Sequence, residues 1–136
     1  MHAEKFVELC HREMSGSRGA AVAMASIDRR AGVLRYAGVG NIAGTLYTGD
    51  QRRGLPSLNG IVGAILPKVK GYEYPLPASG MLVMHSDGLQ SRWTLERYPG
   101  LMQRHPAVIA GVLYRDFCRG RDDVTVLVGS WQEGSS

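Results

Sequence analysis

Two short runs constrain this chain more than anything else in it. Met81 to His85 (MLVMH) and Val124 to Val128 (VTVLV) are apolar on both parities, the pattern of strands covered on both faces. The second is also rich in β-branched residues, which predicts a final central strand. Each run abuts acid: Ser86-Asp87-Gly88 closes the first, and Asp122-Asp123 opens the second. If the two strands are antiparallel neighbours, the end of one meets the start of the other and their carboxylates converge. Converged carboxylates repel unless a cation lies between them. Oxygen donors suit a hard divalent ion, magnesium or manganese, and Gly88 would let backbone or water approach closely. The same residues also have an ordinary structural reading. Asp-Gly after a strand makes a turn, and Asp-Asp before one caps it or sits in an exposed loop.

The rest of the chain reads as alternating layers. Residues 1–16 form an amphipathic helix, with Phe6, Leu9, Cys10 and Met14 as its apolar positions. Arg18 to Asp28, Gly32 to Ala37 and Ile42 to Thr48 read as three strands of an antiparallel meander, the first turn being Asp28 to Gly32. Small residues in these strands predict close approach of another layer. Gly49 to Gly63 reads as loop, Val69 to Leu76 as a further strand, and Leu89 to Arg97 as a short helix. Pro106 opens a better helix with Val108, Ile109, Val112, Leu113 and Phe117 as its stripe, terminated by Gly120. Residues 131–136 are expected to be a flexible tail. Helix, strands, helices, strand is the order of an α+β architecture with helices packed on antiparallel sheet.

The whole of residues 1–136 fits one domain, without repeat or linker. Glycine supplies 18 of the residues, about twice the usual share, spread over turns and not gathered in a linker. Cys10 and Cys118 are too few for a disulfide framework and read as small hydrophobes of a reducing compartment, the cytoplasm. No apolar run approaches the roughly 18 residues of a membrane span. The net charge is +4, but the arginines are scattered singly or in pairs. That favours a solvated surface or an acidic partner over nucleic acid. His85 reads as a partnered core histidine, and Trp93 and Tyr98 as packing residues.

The ordered segments RGAAVAMASID, YAGVGNIAGTLY, GIVG, MLVMHSDGL and RGRDDVTVLVG resemble the C-terminal two-thirds of PPM-type (PP2C-like) protein serine/threonine phosphatases. Within these they resemble the SpoIIE/RsbX-type branch of bacterial partner-switching pathways. The resemblance implies a four-layer αββα β-sandwich with a two-metal centre of Mn2+ or Mg2+ at its edge. It implies that Asp87 and Asp122 bind metal, that Gly88 and Asp123 support the site, and that metal-activated water attacks a phosphoserine or phosphothreonine. No covalent phosphoenzyme is then needed. Arg18 and Arg121 are candidate phosphate contacts.

Complete relatives also carry an N-terminal Asp-Gly motif whose aspartate bridges the metals. The acids upstream of Asp87 are Glu4, Glu8, Glu13, Asp28, Asp50 and Glu73, and none precedes glycine after an apolar strand. The chain is therefore expected to be a partial domain, incomplete at the N-terminus, with the metal centre at most partly formed. Two readings follow. One is a phosphatase acting on a phosphorylated signalling protein resembling an anti-sigma-factor antagonist. The other is a binding or regulatory module of the same fold that lacks the bridging aspartate. Exposed sheet edges could also support an oligomer.

Overall fold

The computed structural model describes residues 2–49, 51–120 and 123–132. In chain order the elements are α1 (Ala3–Glu13), β1 (Val22–Asp28), β2 (Val33–Val39), β3 (Ile42–Thr48), β4 (Gln51–Leu55), β5 (Tyr72–Pro75), β6 (Gly80–Ser86), a 3-10 turn (Leu101–Gln103), α2 (Pro106–Phe117) and β7 (Val126–Trp131). The strands form two antiparallel sheets, ordered β1-β2-β5 and β4-β3-β6-β7. The α+β class expected from the sequence is the one found. The chain divides into two compact units, Met1–Ala43 with Gly54–Ala78, and Gly44–Arg53 with Ser79–Ser136. No helix among the described residues is long and apolar enough to cross a membrane.

In the first unit α1 packs on β1 and β2. Its buried face is Ala3, Val7, Cys10 and Met14, which join Ala37, Val39, Val62 and Val69 in one core. Leu9, expected on that face, is 36% exposed. The stripe that starts at Ala3 follows helical spacing better than one drawn through Phe6 and Leu9. The β1–β2 hairpin turns as expected. The Asp28 carboxylate accepts from the Ala31 amide at 3.0 Å, and Gly32 takes a φ of +67°. Across the sheet Arg35 meets its register partner Glu73 at 2.9 Å.

The expected meander does not continue into β3. Both edges of β2 are taken, by β1 along its whole length and by β5 from Val33 to Tyr36. Leu58 then bridges Val39. Gly40, at a φ of +98°, redirects the chain, and β3 is built into the other sheet. A Cβ on Gly40 would lie 2.8 Å from that of Ala21, the close approach that the small residues implied.

The second unit is built on Trp93, Leu89, Leu95, Ile109, Leu113, Phe117 and Val83. Three expectations are corrected here. The stretch read as loop contains β4, whose residues Gln51 to Gly54 are exposed, so no apolar alternation marks it. Leu89 to Arg97 makes turns, not a helix. Its buried residues Leu89, Trp93 and Leu95 do not keep one helical face, and the Thr94 hydroxyl binds the Glu96 amide and carboxylate, competing with helical bonding. β7 is an edge strand of the sheet, with Leu127 59% exposed, so its two apolar faces do not mark a central strand. It runs through Trp131, the first residue of the expected tail, and 133–136 lie outside the described residues.

α2 begins as predicted. Pro106 is its first residue, and His105 Nδ1 accepts from the Ala107 amide at 3.1 Å. Ile109, Leu113 and Phe117 are buried, whereas Val108 is 47% exposed. Leu113→Ala should therefore cost about 2–5 kcal/mol in urea unfolding, and Val108→Ala less than about 0.5 kcal/mol beyond its helix-propensity change.

The end of α2 is tied to the turn before it by charge. Arg115 donates twice to the Asp116 carboxylate, at 2.8 and 3.0 Å, and the Tyr98 hydroxyl donates to it at 2.6 Å. The Arg115 bonds first, then that of Tyr98, hold the Asp116 carboxyl well below the usual carboxylate range. A group depressed on folding stabilises the fold fully above its unfolded pKa, about 3.9, and loses that contribution as pH falls below it. Asp116→Asn should flatten the stability-versus-pH curve below about pH 4, read from urea midpoints; an unchanged acid limb would refute the linkage.

Candidate functional site at the β6–β7 corner

β6 and β7 pair antiparallel from Gly80 opposite Trp131 to His85 opposite Val126. The end of one strand therefore meets the start of the other, as the two apolar runs implied. Beyond His85 the ladder is carried on by Ser86. Its amide donates to the Thr125 carbonyl at 3.0 Å, and its hydroxyl accepts from the Thr125 amide at 3.0 Å. The same hydroxyl lies 3.5 Å from the Asp123 carbonyl. Asp87 and Asp123 are thus held at adjoining strand ends, both exposed.

Gly88 is the tightest point of this corner. A Cβ there would lie 2.4 Å from the Asp123 carbonyl oxygen and 2.6 Å from Val124. Its own carbonyl accepts from the Arg119 amide at 2.9 Å, Leu89 bridges Cys118, and the Gln90 amide donates to the Phe117 carbonyl at 2.8 Å. The turn after β6 is therefore clamped between the end of α2 and the approach to β7.

Below the corner, His85 is buried at 7% exposure. Its Nδ1 lies 2.8 Å from the Ser86 carbonyl and its Nε2 accepts from the Trp93 indole N–H at 2.9 Å. Those partners require a neutral ring with its hydrogen on Nδ1. Burial lowers its pKa, opposed by the bond to Ser86 and assisted by the charge of Arg52. Arg52 lies 4.2 Å over the Trp93 ring and donates to the Trp93 carbonyl at 3.2 Å. With both ring nitrogens engaged, His85 orients the corner and offers no free ligand atom.

Beside the clamped turn lies an open cavity of about 300 Å³ lined by Gln90, Ser91, Arg92 and Arg119. Arg92 donates to Gln90 at 2.7 Å. These two arginines were not singled out from the sequence. The signal available was their place, Arg92 four residues after Gly88 and Arg119 three before Asp122, and it is visible only once Leu89 is known to bridge Cys118. Of the residues that were singled out, Asp87, Gly88 and Asp123 come together. Arg18 is an exposed residue of the first unit, just past the turn that follows α1. Asp122 and Arg121 lie outside the described residues.

Two antiparallel sheets with helices α1 and α2 packed on them are the fold of PP2C-like phosphatases, here as part of the domain. The profile of the family "Stage II sporulation protein E (SpoIIE)" matches residues 3–132, so the chain belongs to the SpoIIE family, a PP2C-type phosphatase family. Among solved structures, one from work on the bacterial stressosome, described as a modular system adapted to control secondary messenger signalling, superposes with a TM-score of 0.81 at 25% identity over 93% of this chain. RsbX in complex with magnesium gives 0.74 at 20% identity over 93%. The manganese-soaked phosphatase domain of SpoIIE from Bacillus subtilis gives 0.65 at 23% identity over 86%. The chain spans 66%, 63% and 58% of those three structures respectively. Comparison with curated proteins by sequence gives no match.

The corner suits a hard cation in its chemistry. Its donors are carboxylate and carbonyl oxygens, with the nearby imidazole already engaged, and the missing side chain of Gly88 leaves backbone in reach. Among the described residues no three His, Cys, Asp or Glu side chains gather as a ligand set, so Asp87 and Asp123 are the described carboxylates available.

Gly88→Ala should push the turn off the Asp123 backbone, because that carbonyl, unlike the Val124 side chain, cannot rotate away. A cost of about 1–3 kcal/mol is expected in urea unfolding, together with loss of amide-exchange protection at Arg119 and Thr125. Unchanged protection at both amides would show that the clamp does not depend on the glycine.

Proposed function

We propose that this chain is the metal-dependent part of a protein serine/threonine phosphatase domain that removes phosphate from a signalling protein of a bacterial partner-switching pathway. The observation that carries this is the convergence of Asp87 and Asp123 at the clamped β6–β7 corner of a SpoIIE-family chain. Asp87 and Asp122 are the residues proposed to hold Mn2+ or Mg2+, with Asp123 and Gly88 supporting them. When bound, such an ion lowers the pKa of coordinated water and neutralises phosphoryl oxygen charge.

The chain's own residues supply the rest. Arg92 and Arg119, beside the corner, are placed to receive the phosphoryl anion, where guanidinium can bond two oxygens at once. Arg18 and Arg121 remain proposed contacts of the same kind. The neutral His85, held by Trp93, keeps a positive charge out of the strand end that carries Asp87. The substrate class proposed is a phosphoserine or phosphothreonine protein resembling an anti-sigma-factor antagonist, in the cytoplasm.

A second reading is a regulatory module with the fold but not the turnover. It is favoured by the corner itself, where Asp87 and Asp123 are the carboxylate residues that the described strand ends bring together. Manganese-dependent phosphate release from a phosphoserine protein separates the two. Under the first reading Asp87→Asn and Asp122→Asn should each lower the rate by about 100-fold or more, and Arg119→Ala should lower kcat/KM by about 10-fold. No release at any manganese concentration, with phosphoprotein binding retained, would establish the second.

A further inference from the structure

α2 is apolar on the side that faces water. It has 12 residues, and those from Pro106 to Tyr114 carry no charge. Ile109, Leu113 and Phe117 are buried, and the helix packs against β7 and the 3-10 turn. At about 100° per residue, Ala107, Val108, Gly111, Tyr114 and Arg115 fall within one arc on the opposite side. All five are exposed, Val108 by 47% and Tyr114 by 54%. A surface helix ordinarily turns charged residues to solvent, and one that is apolar all round belongs in a buried setting. Among the described residues α2 is covered on one side only.

Gly111 stands at the centre of the exposed arc. Glycine inside a helix is less favourable than alanine, because its chain gives up more conformational freedom on folding. Nothing among the described residues requires it here. Gly111 has no left-handed φ, and a Cβ built on it would meet no atom within 4 Å. A missing side chain in the middle of an exposed apolar face lets a second helix approach closely, since the side chains at a contact set the distance between helix axes.

Charge says which kind of helix fits. Arg104 stands just before α2, is exposed, and makes no ion pair among the described residues. Arg115 lies in the last turn with its side chain 69% exposed. It spends two bonds on Asp116, and a guanidinium has five N–H donors. The one acid of the helix, Asp116, is held by Arg115 and Tyr98, so the exposed arc itself bears no carboxylate. An apolar centre with tyrosine and a rim of arginine is the composition of a protein interface.

We propose that the exposed face of α2 docks an amphipathic helix of a partner protein, whose apolar stripe seats over Gly111 between Val108 and Tyr114 and whose carboxylates meet Arg104 and Arg115. A second copy of this chain is disfavoured, because α2 laid along another α2 brings arginine to arginine at both ends. The proposal does not rest on the phosphatase reading and uses none of the residues assigned there.

The probe is a peptide of leucine, alanine and glutamate with leucine on one face, about 18 residues long so that it forms helix. The same peptide with lysine for glutamate, and one with serine for leucine, serve as comparisons. Binding is followed through the amide resonance of Gly111 and the ring resonances of Tyr114. The glutamate peptide should shift both saturably, and the other two should bind at least about 10-fold more weakly. Gly111→Leu and Val108→Glu should each weaken the glutamate peptide about 10-fold or more, and Arg104→Gln about 2- to 5-fold. Gly111→Leu fills open space with a better helix former, so its urea midpoint should rise. The proposal is overturned by no saturable shift with the glutamate peptide, by equal affinity for the lysine peptide, or by a lowered midpoint in Gly111→Leu. A dimer in solution that Gly111→Leu dissociates, or sedimentation with phosphatidylglycerol vesicles without peptide binding, would overturn it equally.

Discussion

The pairing of β6 with β7 is the constraint on which the acidic corner depends. Each strand alone would leave its acids in unrelated loops, Asp87 and Asp123 being 36 residues apart in sequence. Antiparallel register brings them to one corner, and Ser86 extends that register beyond the last pair of side chains by bonding Thr125 through both its amide and its hydroxyl. Two bonds from one residue fix direction as well as distance. The absence of a side chain at Gly88 then allows the turn to close on the Asp123 backbone. Backbone geometry thus brings two acidic residues to one corner, an arrangement that suits a hard cation.

The corner rests on a second layer of contacts that explains why a histidine stands in an apolar strand. His85 links the strand backbone at Ser86 to the indole of Trp93. Trp93 in turn supports Arg52 on its face and Tyr47 at its edge. An apolar residue at position 85 would fill the volume but leave the buried indole N–H without an acceptor. The irregular path of Leu89 to Arg97 follows from the same contacts. Arg52 and the Thr94 hydroxyl take backbone groups that a helix would need, so the segment packs as turns around one tryptophan.

What was legible in the sequence was whatever local periodicity and neighbour chemistry determine. The apolar parity of MLVMH and VTVLV located two strands, proline and glycine bracketed α2, and the acids at both strand ends located the corner. Partnership between strands was not legible. Ile42 to Thr48 has the same alternation whether it pairs with β2 or with β6, and only the occupied edges of β2 decide it. β4 escaped because an exposed edge strand carrying Arg52 and Arg53 has the composition of a loop. Arg92 and Arg119 escaped for a related reason. Their shared cavity depends on the Leu89–Cys118 bridge, a contact between irregular segments that no periodicity announces. The edge position of β7 was likewise hidden, since β-branched residues fit a half-covered strand as well as a central one.

Tyr47 joins the two ends of the second unit into one physical system. Its ring belongs to the cluster that holds Trp93, and through Trp93 the imidazole of His85, while the same residue lines a cavity at the far end of β6. A strand is stiff along its length, and every residue of β6 from Gly80 to His85 is paired with β7.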